Sequence, residues 1–209
     1  MDLLALIENC APNVAPSTLQ SVIRVESAQL PHAIGFKITR GKETYKLSKQ
    51  PANVEEAKTW AQYLLENGYK FDAGIAQINS ANFARLGLSP ANVFDSCANI
   101  SASGRILSEF YKNAAAQYGP GQKALLAAIS AYNSGNFQTG FANGYVQKVV
   151  NASAGQTTAV STKPVLTQIS TSIPAVPTTG KPPARIPKPI ASVASPAVYA
   201  ADIEVKTFR

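Results

Sequence analysis

The distribution of proline divides this chain into two parts. Eight of its fourteen prolines follow Asn151, in a stretch rich in Ser, Thr and Ala that holds no Trp or Cys. Proline has no amide hydrogen and interrupts a helix, so closely spaced prolines exclude regular helices here. This composition is typical of flexible linkers and disordered segments. We therefore predict a folded domain at residues 1–150 and a Pro-rich flexible tail at residues 151–209.

The end of the tail differs from the rest of it. Residues 198–208 are more apolar, and apolar and polar residues partly alternate there. Alternation is the pattern of a strand, and a peptide of this kind can extend the edge of a partner's sheet. A plain solvated tail is the alternative, and it is the interpretation that the sequence favours.

Composition and charge restrict the class of protein. The 209 residues are 45% hydrophobic and 15% charged, with a net charge of +7. Such a balance is typical of a globular protein with a basic surface, which suits an acidic polymer as partner. Lys and Arg do not cluster with aromatic residues, so no nucleic-acid site is predicted. No stretch approaches the roughly 20 apolar residues of a membrane span, so the protein is not expected to cross a bilayer.

The first part of the chain has the spacing of helices. Asn53 and Glu56 form a capping-box signature, which opens a helix that Gly68 should close. Between Lys37 and Gln50 the chain is polar and partly alternating, which fits a short hairpin or a loop. We predict a mainly α domain with helices in these segments: 1–10, 16–28, 53–67, 82–86, 98–118, 123–132 and part of 140–150. Pro31 should stop the second helix, and residues 29–35 should form a turn.

One carboxylate lies where an apolar residue is expected. Leu19, Val22, Ile23 and Glu26 stand at the i, i+3, i+4 and i+7 positions of an amphipathic helix. A carboxyl group among apolar neighbours must find a partner or raise its pKa. A carboxyl group that keeps its proton near neutral pH can serve as a general acid. The alternative is a Glu at the rim of the helix, in water or paired with a basic residue such as Arg24.

The cysteines and the single histidine exclude a Cys/His metal site. Cys10 and Cys97 are too distant in sequence for a Cys-x-x-Cys motif, and His32 is the only histidine. A disulfide between the two would close a long loop and would stabilise the folded state by about 4–5 kcal/mol on the loop-entropy estimate. It would also indicate an oxidising compartment. Two buried free thiols are the alternative. His32 falls in a polar turn and is interpreted as a surface residue.

Four motifs occur in a fixed order along the first part of the chain. They are Glu26-Ser27, Gly74-Ile75-Ala76-Gln77-Ile78-Asn79, Ala131-Tyr132-Asn133-Ser134-Gly135 and the late Tyr145. The set resembles the lytic transglycosylases of the goose-lysozyme-like superfamily, whose second motif is Gly-Leu-Met-Gln-(Ile or Val)-Asn. Ile75-Ala76 replaces Leu-Met here, which leaves the amides in place but changes the lining of the groove.

Further short matches resemble the small VirB-type enzymes of bacterial type IV secretion and conjugation systems. These matches are Cys10-Ala11-Pro12, Phe71-Asp72-Ala73-Gly74 and Phe94-Asp95-Ser96-Cys97. The resemblance covers about residues 8–150 and none of the tail. It implies a lysozyme-like α domain with a substrate groove across Glu26, and it requires no cofactor or metal.

The resemblance also implies a role for each matching residue. Glu26 would be the catalytic acid and then the base. Ser27 would contact an N-acetyl or hydroxyl group, and Gln77 and Asn79 would bind the glycan or the groove wall. Tyr132 would pack against a sugar or hold the site in shape, and Asn133 would bind the substrate. The alternatives are a core position for Tyr132, a helix C-cap for Asn133 and a cap of its own helix for Ser27. Tyr145 would donate a hydrogen bond to Glu26. Two aspartates, Asp72 and Asp95, match structural positions and are not assigned as nucleophiles.

The implied reaction is cleavage of the β-1,4 bond between N-acetylmuramic acid and N-acetylglucosamine in peptidoglycan, without water. The expected setting is the periplasm or cell envelope, where the tail would contact other secretion components. The first residues lack the basic start and long apolar run of a signal peptide, so no export signal is evident. Two alternatives stay open: a hydrolytic muramidase with the same site, and a non-catalytic peptidoglycan-binding adaptor.

Overall fold

The computed structural model describes residues 2–40, 43–155 and 203–207. Within these ranges the helices are α1 (Leu3–Cys10), α2 (Pro16–Ser27), α3 (Val54–Glu66), α4 (Phe83–Leu86), α5 (Ser96–Tyr118), α6 (Gln122–Ser134), α7 (Thr139–Ala142) and α8 (Tyr145–Ala154). The strands are β1 (Ile34–Gly35), β2 (Lys37–Arg40), β3 (Glu43–Leu47), β4 (Asp72–Ala73), β5 (Ile78–Asn79) and β6 (Ile203–Thr207). The prediction of a mainly α domain is therefore confirmed.

Side-chain caps fix the starts of two helices. Asn53 Oδ1 accepts a hydrogen bond of 2.9 Å from the Glu56 amide, which begins α3 as the capping-box signature predicts. Asp95 Oδ1 accepts one of 2.8 Å from the amide of Ala98, which begins α5 two residues earlier than the sequence indicated. Each cap satisfies an amide that has no partner inside its helix.

The apolar stripe of α2 lies in the centre of the core. Leu19, Val22 and Ile23 are fully buried, as the helical spacing predicts. Helices α5 and α6 pack against each other, and α8 packs across α2. The largest fully buried side chains include Ile7, Trp60, Leu64, Phe71, Ile78, Ile100 and Leu107. The apolar face of α2 is thus buried in the core up to the turn that carries the partly buried Glu26.

A left-handed residue ends α2. The helix stops at Ser27 because Ala28 takes a left-handed conformation at φ 53°, and Gln29 follows at φ 68°. The helix thus ends ahead of Pro31 and of the turn predicted at residues 29–35. Glycine or asparagine usually occupies such a left-handed position, so Ala28 gives no sequence signal for it.

Two small antiparallel sheets flank the helices. In the first, β4 lies between β1 and β5, with Ile34 opposite Ala73 and Asp72 opposite Asn79. In the second, β3 lies between β2 and β6. The segment 37–50 therefore contains the hairpin that was one of its two interpretations.

A disulfide joins Cys10 at the end of α1 to Cys97 at the start of α5, with 5.3 Å between their Cα atoms. A Cβ atom at Gly104 would lie 2.7 Å from the Cβ of Ala11, so the missing side chain lets α5 approach this segment closely. The bond closes a loop across most of the domain, with a sequence separation of 87 residues.

Candidate active site

Glu26 occupies the last turn of α2 and is half-buried above the apolar stripe. Burial removes water from its carboxyl group and is the main reason that its pKa is raised to about 7. A group with this pKa is divided between its two protonation states near neutral pH. It can therefore release a proton and take one back in the same cycle.

Tyr145 is the direct partner of Glu26. Its hydroxyl donates a hydrogen bond of 2.5 Å to Glu26 Oε1, across a sequence separation of 119 residues. Gly144 precedes it at φ +78°, and the Tyr145 amide donates to Asn143 Oδ1 at 3.0 Å. The left-handed glycine turns the chain into α8 and sets Tyr145 at its first position. This contact is the one that the resemblance implied for Tyr145.

The Tyr145 hydroxyl stays a donor. Its pKa is raised by burial and by the adjacent negative charge of Glu26. Its hydrogen bond favours the charged form of Glu26 and so opposes part of the effect of burial on the Glu26 pKa. Tyr145 therefore orients the Glu26 carboxyl group and partly lowers its pKa.

Asp72 adds a second negative charge near Glu26. Its electrostatic repulsion contributes to the raised pKa of Glu26. Burial also raises the pKa of Asp72 itself, while a hydrogen bond of 2.8 Å from Asn79 Nδ2 acts in the opposite direction. Asn79 is thus bound to the wall of the site through Asp72, and its Oδ1 accepts from the amide of Ala81 at 3.1 Å.

The second motif is a tight loop between β4 and β5. Gln77 takes a left-handed conformation at φ 51°, and its Nε2 donates to the carbonyl oxygens of Ala33 at 3.0 Å and Gly74 at 2.9 Å. Both bonds go to the backbone of the site. Of the two roles that the resemblance allowed for Gln77, the structure shows the contact with the wall of the site.

Two hydroxyl groups fix the backbone of the same loop. The buried Ser27 donates to the carbonyl oxygen of Ile75 at 2.5 Å, and Tyr132 donates to that of Ala76 at 2.8 Å. The Tyr132 hydroxyl has a single proton, so Ser103 must donate in the bond of 2.9 Å between them. Ser27 therefore has a positioning role, since its bond connects the turn that carries Glu26 to the second motif. That it contacts the glycan stays a prediction.

Asn99 is the residue that sequence analysis missed. It is fully buried on α5, and its Oδ1 accepts from the amide of Ala76 at 2.8 Å. Its Nδ2 donates to the carbonyl oxygens of Ala73 at 3.0 Å and Val93 at 2.8 Å. One amide thus satisfies three backbone groups around the second motif. No local pattern signals this role, since an Asn inside a helix usually faces solvent.

A cleft of about 310 Å³ opens beside these residues. Its lining includes Asp72, Gln77, Asn79, Tyr132 and Asn133. Asn133 lies within α6, which ends at Ser134 and has Gly135 as its C-cap, and Asn133 Oδ1 accepts from Asn143 Nδ2 at 2.9 Å. The alternative of a helix C-cap for Asn133 was therefore wrong. Glu26 is not among the lining residues of this cleft, but Asp72 is, and the charge of Asp72 acts on the Glu26 carboxyl group and raises its pKa.

The motif residues come together around one loop and one carboxyl group. Glu26 bonds to Tyr145, while Ser27, Tyr132 and Gln77 hold backbone atoms of the second motif. In the described ranges, no three His, Cys, Asp or Glu residues gather as metal ligands. The chemistry that this arrangement supports is proton transfer by one carboxylic acid beside a polar cleft.

Comparison with known proteins places the chain in a family. Residues 4–153 match the family described as Transglycosylase SLT domain, and the chain belongs to that family. The fold and the site therefore define a lysozyme-like transglycosylase domain. Its sequence is similar to the type IV secretion system protein virB1 of Brucella abortus, with 42% identity over 170 residues. This supports the resemblance seen in the motifs.

The similarity covers part of each relative. It spans 78% of this chain and 66% of the Brucella abortus protein. The protein virB1 of Rhizobium radiobacter is 40% identical over 143 residues, which are 68% of this chain and 57% of that protein. No solved structure matches the chain. The chain therefore covers 66% and 57% of the length of these two relatives, less than two thirds of each.

Proposed function

We propose that this protein is a peptidoglycan lytic transglycosylase that cuts the β-1,4 bond between N-acetylmuramic acid and N-acetylglucosamine without water. The observation that carries the proposal is Glu26, whose burial raises its pKa to about 7 in a domain of the transglycosylase family. At neutral pH this group supplies both the acid and the base that the reaction needs.

The proposed mechanism uses Glu26 twice. Its carboxyl group first gives a proton to the glycosidic oxygen, and the bond from that oxygen to C1 of N-acetylmuramic acid breaks. The resulting carboxylate then removes the proton from the C6 hydroxyl of the same sugar. The C6 oxygen bonds to C1 and forms a 1,6-anhydro ring. Glu26 ends the cycle protonated, so one residue completes the proton balance.

The neighbours of Glu26 prepare it for these steps. Tyr145 donates to Oε1, which holds the carboxyl group in one orientation and stabilises the carboxylate between the two proton transfers. The amide side chains of Asn79 and Asn133 border the cleft, where the glycan would bind. Gln77 and Tyr132 keep the loop of the second motif in shape.

The rival muramidase would have the same site and would use water in place of the C6 hydroxyl group. In most glycosidases a second carboxylate assists that reaction. Glycosidases of that type use two carboxyl groups on either side of the bond. Asp72 is the described carboxylate whose charge acts on Glu26, and its oxygen is engaged by Asn79. These observations favour the mechanism that uses Glu26 alone.

The setting of this activity is part of the proposal. The virB1 relatives carry the name of type IV secretion components, so we place the activity in local opening of the cell wall for such a system. Helices that could cross a bilayer are absent from the described ranges. The disulfide between Cys10 and Cys97 is stable in an oxidising compartment, which supports the periplasm.

A release assay on purified cell wall separates the enzyme from a binding adaptor. Wild type and Glu8→Gln, a control at an exposed position of α1, should release soluble glycan fragments. Glu26→Gln should bind the wall, but its rate of fragment release should fall by about 100-fold or more, because general acid catalysis is lost. Wall binding without release by the wild type would favour the adaptor.

Deletion of residues 156–209 tests the role of the tail. If the tail only recruits secretion components, the purified domain should still cleave glycan while secretion in cells fails. Equal secretion with and without the tail would remove the partner role from the proposal.

A further inference from the structure

The C-terminal strand pairs with the domain. Strand β6 runs antiparallel to β3 and matches it along its whole length, from Glu43 opposite Thr207 to Leu47 opposite Ile203. The sequence suggested that this end of the chain could extend the sheet of a partner. Its place in the structure is at the edge of a sheet in the same chain.

The edge that β6 occupies would otherwise be open. Within the described residues β3 has β2 on one side and β6 on the other. Without β6, the outward amide and carbonyl groups of β3 would have no strand to pair with. An open edge of this kind accepts any strand of suitable conformation, because the bonds are made by the backbone.

The hairpin that carries this edge is tied to the core and to the site. Leu47 at the end of β3 is buried in the core. Just after it, the side chain of Gln50 accepts from the amide of Ile34 at 2.8 Å and donates to its carbonyl oxygen at 3.0 Å. Ile34 pairs with Ala73, the residue after Asp72. The β3 edge is therefore anchored beside the sheet that bears the site.

We propose that the outer edge of β3 is a strand-docking surface and that its resident occupant is the C-terminal strand of the same chain. Residues 156–202 join that strand to the end of α8 in one chain, so the pairing is intramolecular and does not depend on protein concentration. The docking fastens the far end of the Pro-rich segment to the catalytic domain. This inference goes beyond the proposed function and does not depend on it.

Backbone hydrogen exchange of the full chain tests the docking. In Glu204→Pro/Val205→Pro two neighbouring amide hydrogens are removed, and one of the two must face β3 because successive residues alternate. The control Glu204→Ala/Val205→Ala changes the same side chains and keeps both amides. We expect the outward amides of β3 to exchange about tenfold faster or more in the proline variant and near the wild-type rate in the alanine control.

The same experiment contains the results that would overturn the proposal. Amides of α5 report whether the domain is still folded, and they should exchange alike in all three proteins. Unchanged protection of β3 in the proline variant would show that β6 does not dock there. Protection that disappears on dilution, together with a dimer by mass, would show that the strand comes from a second copy and would refute docking within one chain.

Discussion

At the residue scale, the site depends on the balance of three effects on one carboxyl group. Burial raises the pKa of Glu26 most, the hydrogen bond from Tyr145 lowers it, and the charge of Asp72 raises it. The result of about 7 lies where a single group can act as acid and as base. Removing any one neighbour should therefore move the pH dependence in a direction that can be stated in advance.

The pH profile of cleavage should shift in opposite directions in two variants. In the proposed reaction Glu26 begins protonated, so kcat/KM should fall as the pH rises through about 7. Tyr145→Phe removes the effect that lowers the pKa, so the decline should move to higher pH. Asp72→Asn removes a negative charge that raises it, so the decline should move to lower pH. Rates of fragment release across pH 5–9, about two units on each side of the Glu26 pKa, measure both shifts. Shifts in the same direction would contradict this electrostatic account.

Glu26→Gln should stabilise the protein at alkaline pH. The pKa of Glu26 is raised from 4.5 when folded, so the folded state binds more protons than the unfolded state between about 4.5 and 7. Stability is therefore lost as the pH rises through that window, by up to about 3 kcal/mol above it. The Gln side chain is neutral at every pH, so it has no buried charge to destabilise the fold. Its oxygen can still accept the hydrogen bond from the Tyr145 hydroxyl. Urea unfolding should show the variant to be the more stable at pH 8 and the difference to vanish near pH 4. A less stable variant at pH 8 would refute the raised pKa.

At the scale of elements, the loop of the second motif requires a glycine at its first position, Gly74. Gly74 has φ +80°, and a Cβ there would overlap Nδ2 of Asn99 and lie 2.8 Å from the carbonyl oxygen of Val93. The buried Asn99 therefore needs a glycine opposite it to reach three backbone groups of this region. The first residue of the motif is fixed by packing as well as by backbone conformation.

Gly74→Ala should be much more destabilising than Gly87→Ala. Gly87 has a similar φ of +71° with no atom within 4 Å of a Cβ, so it isolates the cost of the left-handed backbone. That cost is about 1–2 kcal/mol. The overlap at Gly74 should add about 1–3 kcal/mol and loosen the site. Thermal or urea unfolding of both variants measures the difference, and equal losses would mean that Asn99 moves aside freely.

The sequence could predict elements and motifs but not the contacts that join them. The spacing of Leu19, Val22 and Ile23 indicated the buried face of α2, and Asn53 indicated the start of α3. The bond from Tyr145 to Glu26 followed from family resemblance alone, because 119 residues separate the two. The central place of Asn99 depends on packing between α5 and the loop, which no local pattern encodes.

At the scale of the whole molecule, the Cys10–Cys97 disulfide joins distant parts of the domain. It closes a loop with a sequence separation of 87 residues, which includes the second motif. Its removal enlarges the conformational freedom of the unfolded chain more than a short loop would. The site should survive removal of the disulfide, since the bond lies at the junction of α1 with α5 and neither cysteine side chain belongs to the site.

Cys10→Ala/Cys97→Ala should lower the free energy of unfolding by about 4–5 kcal/mol on the loop-entropy estimate. Wild type treated with a reductant should unfold at a similar lower denaturant concentration. Cleavage by the folded fraction should remain near that of the wild type. A loss below about 1 kcal/mol would show that the loop is already constrained in the unfolded state.

The most direct test of the central claim is the mass of the products that wild type and Glu26→Gln release from purified cell wall. Cleavage by Glu26 acting alone should give 1,6-anhydro muropeptides with wild type, each lighter by one water than the hydrolysis product. Glu26→Gln should give almost none. Hydrated products from wild type would contradict the claim and would indicate a muramidase, with Asp72 as the next carboxylate to examine.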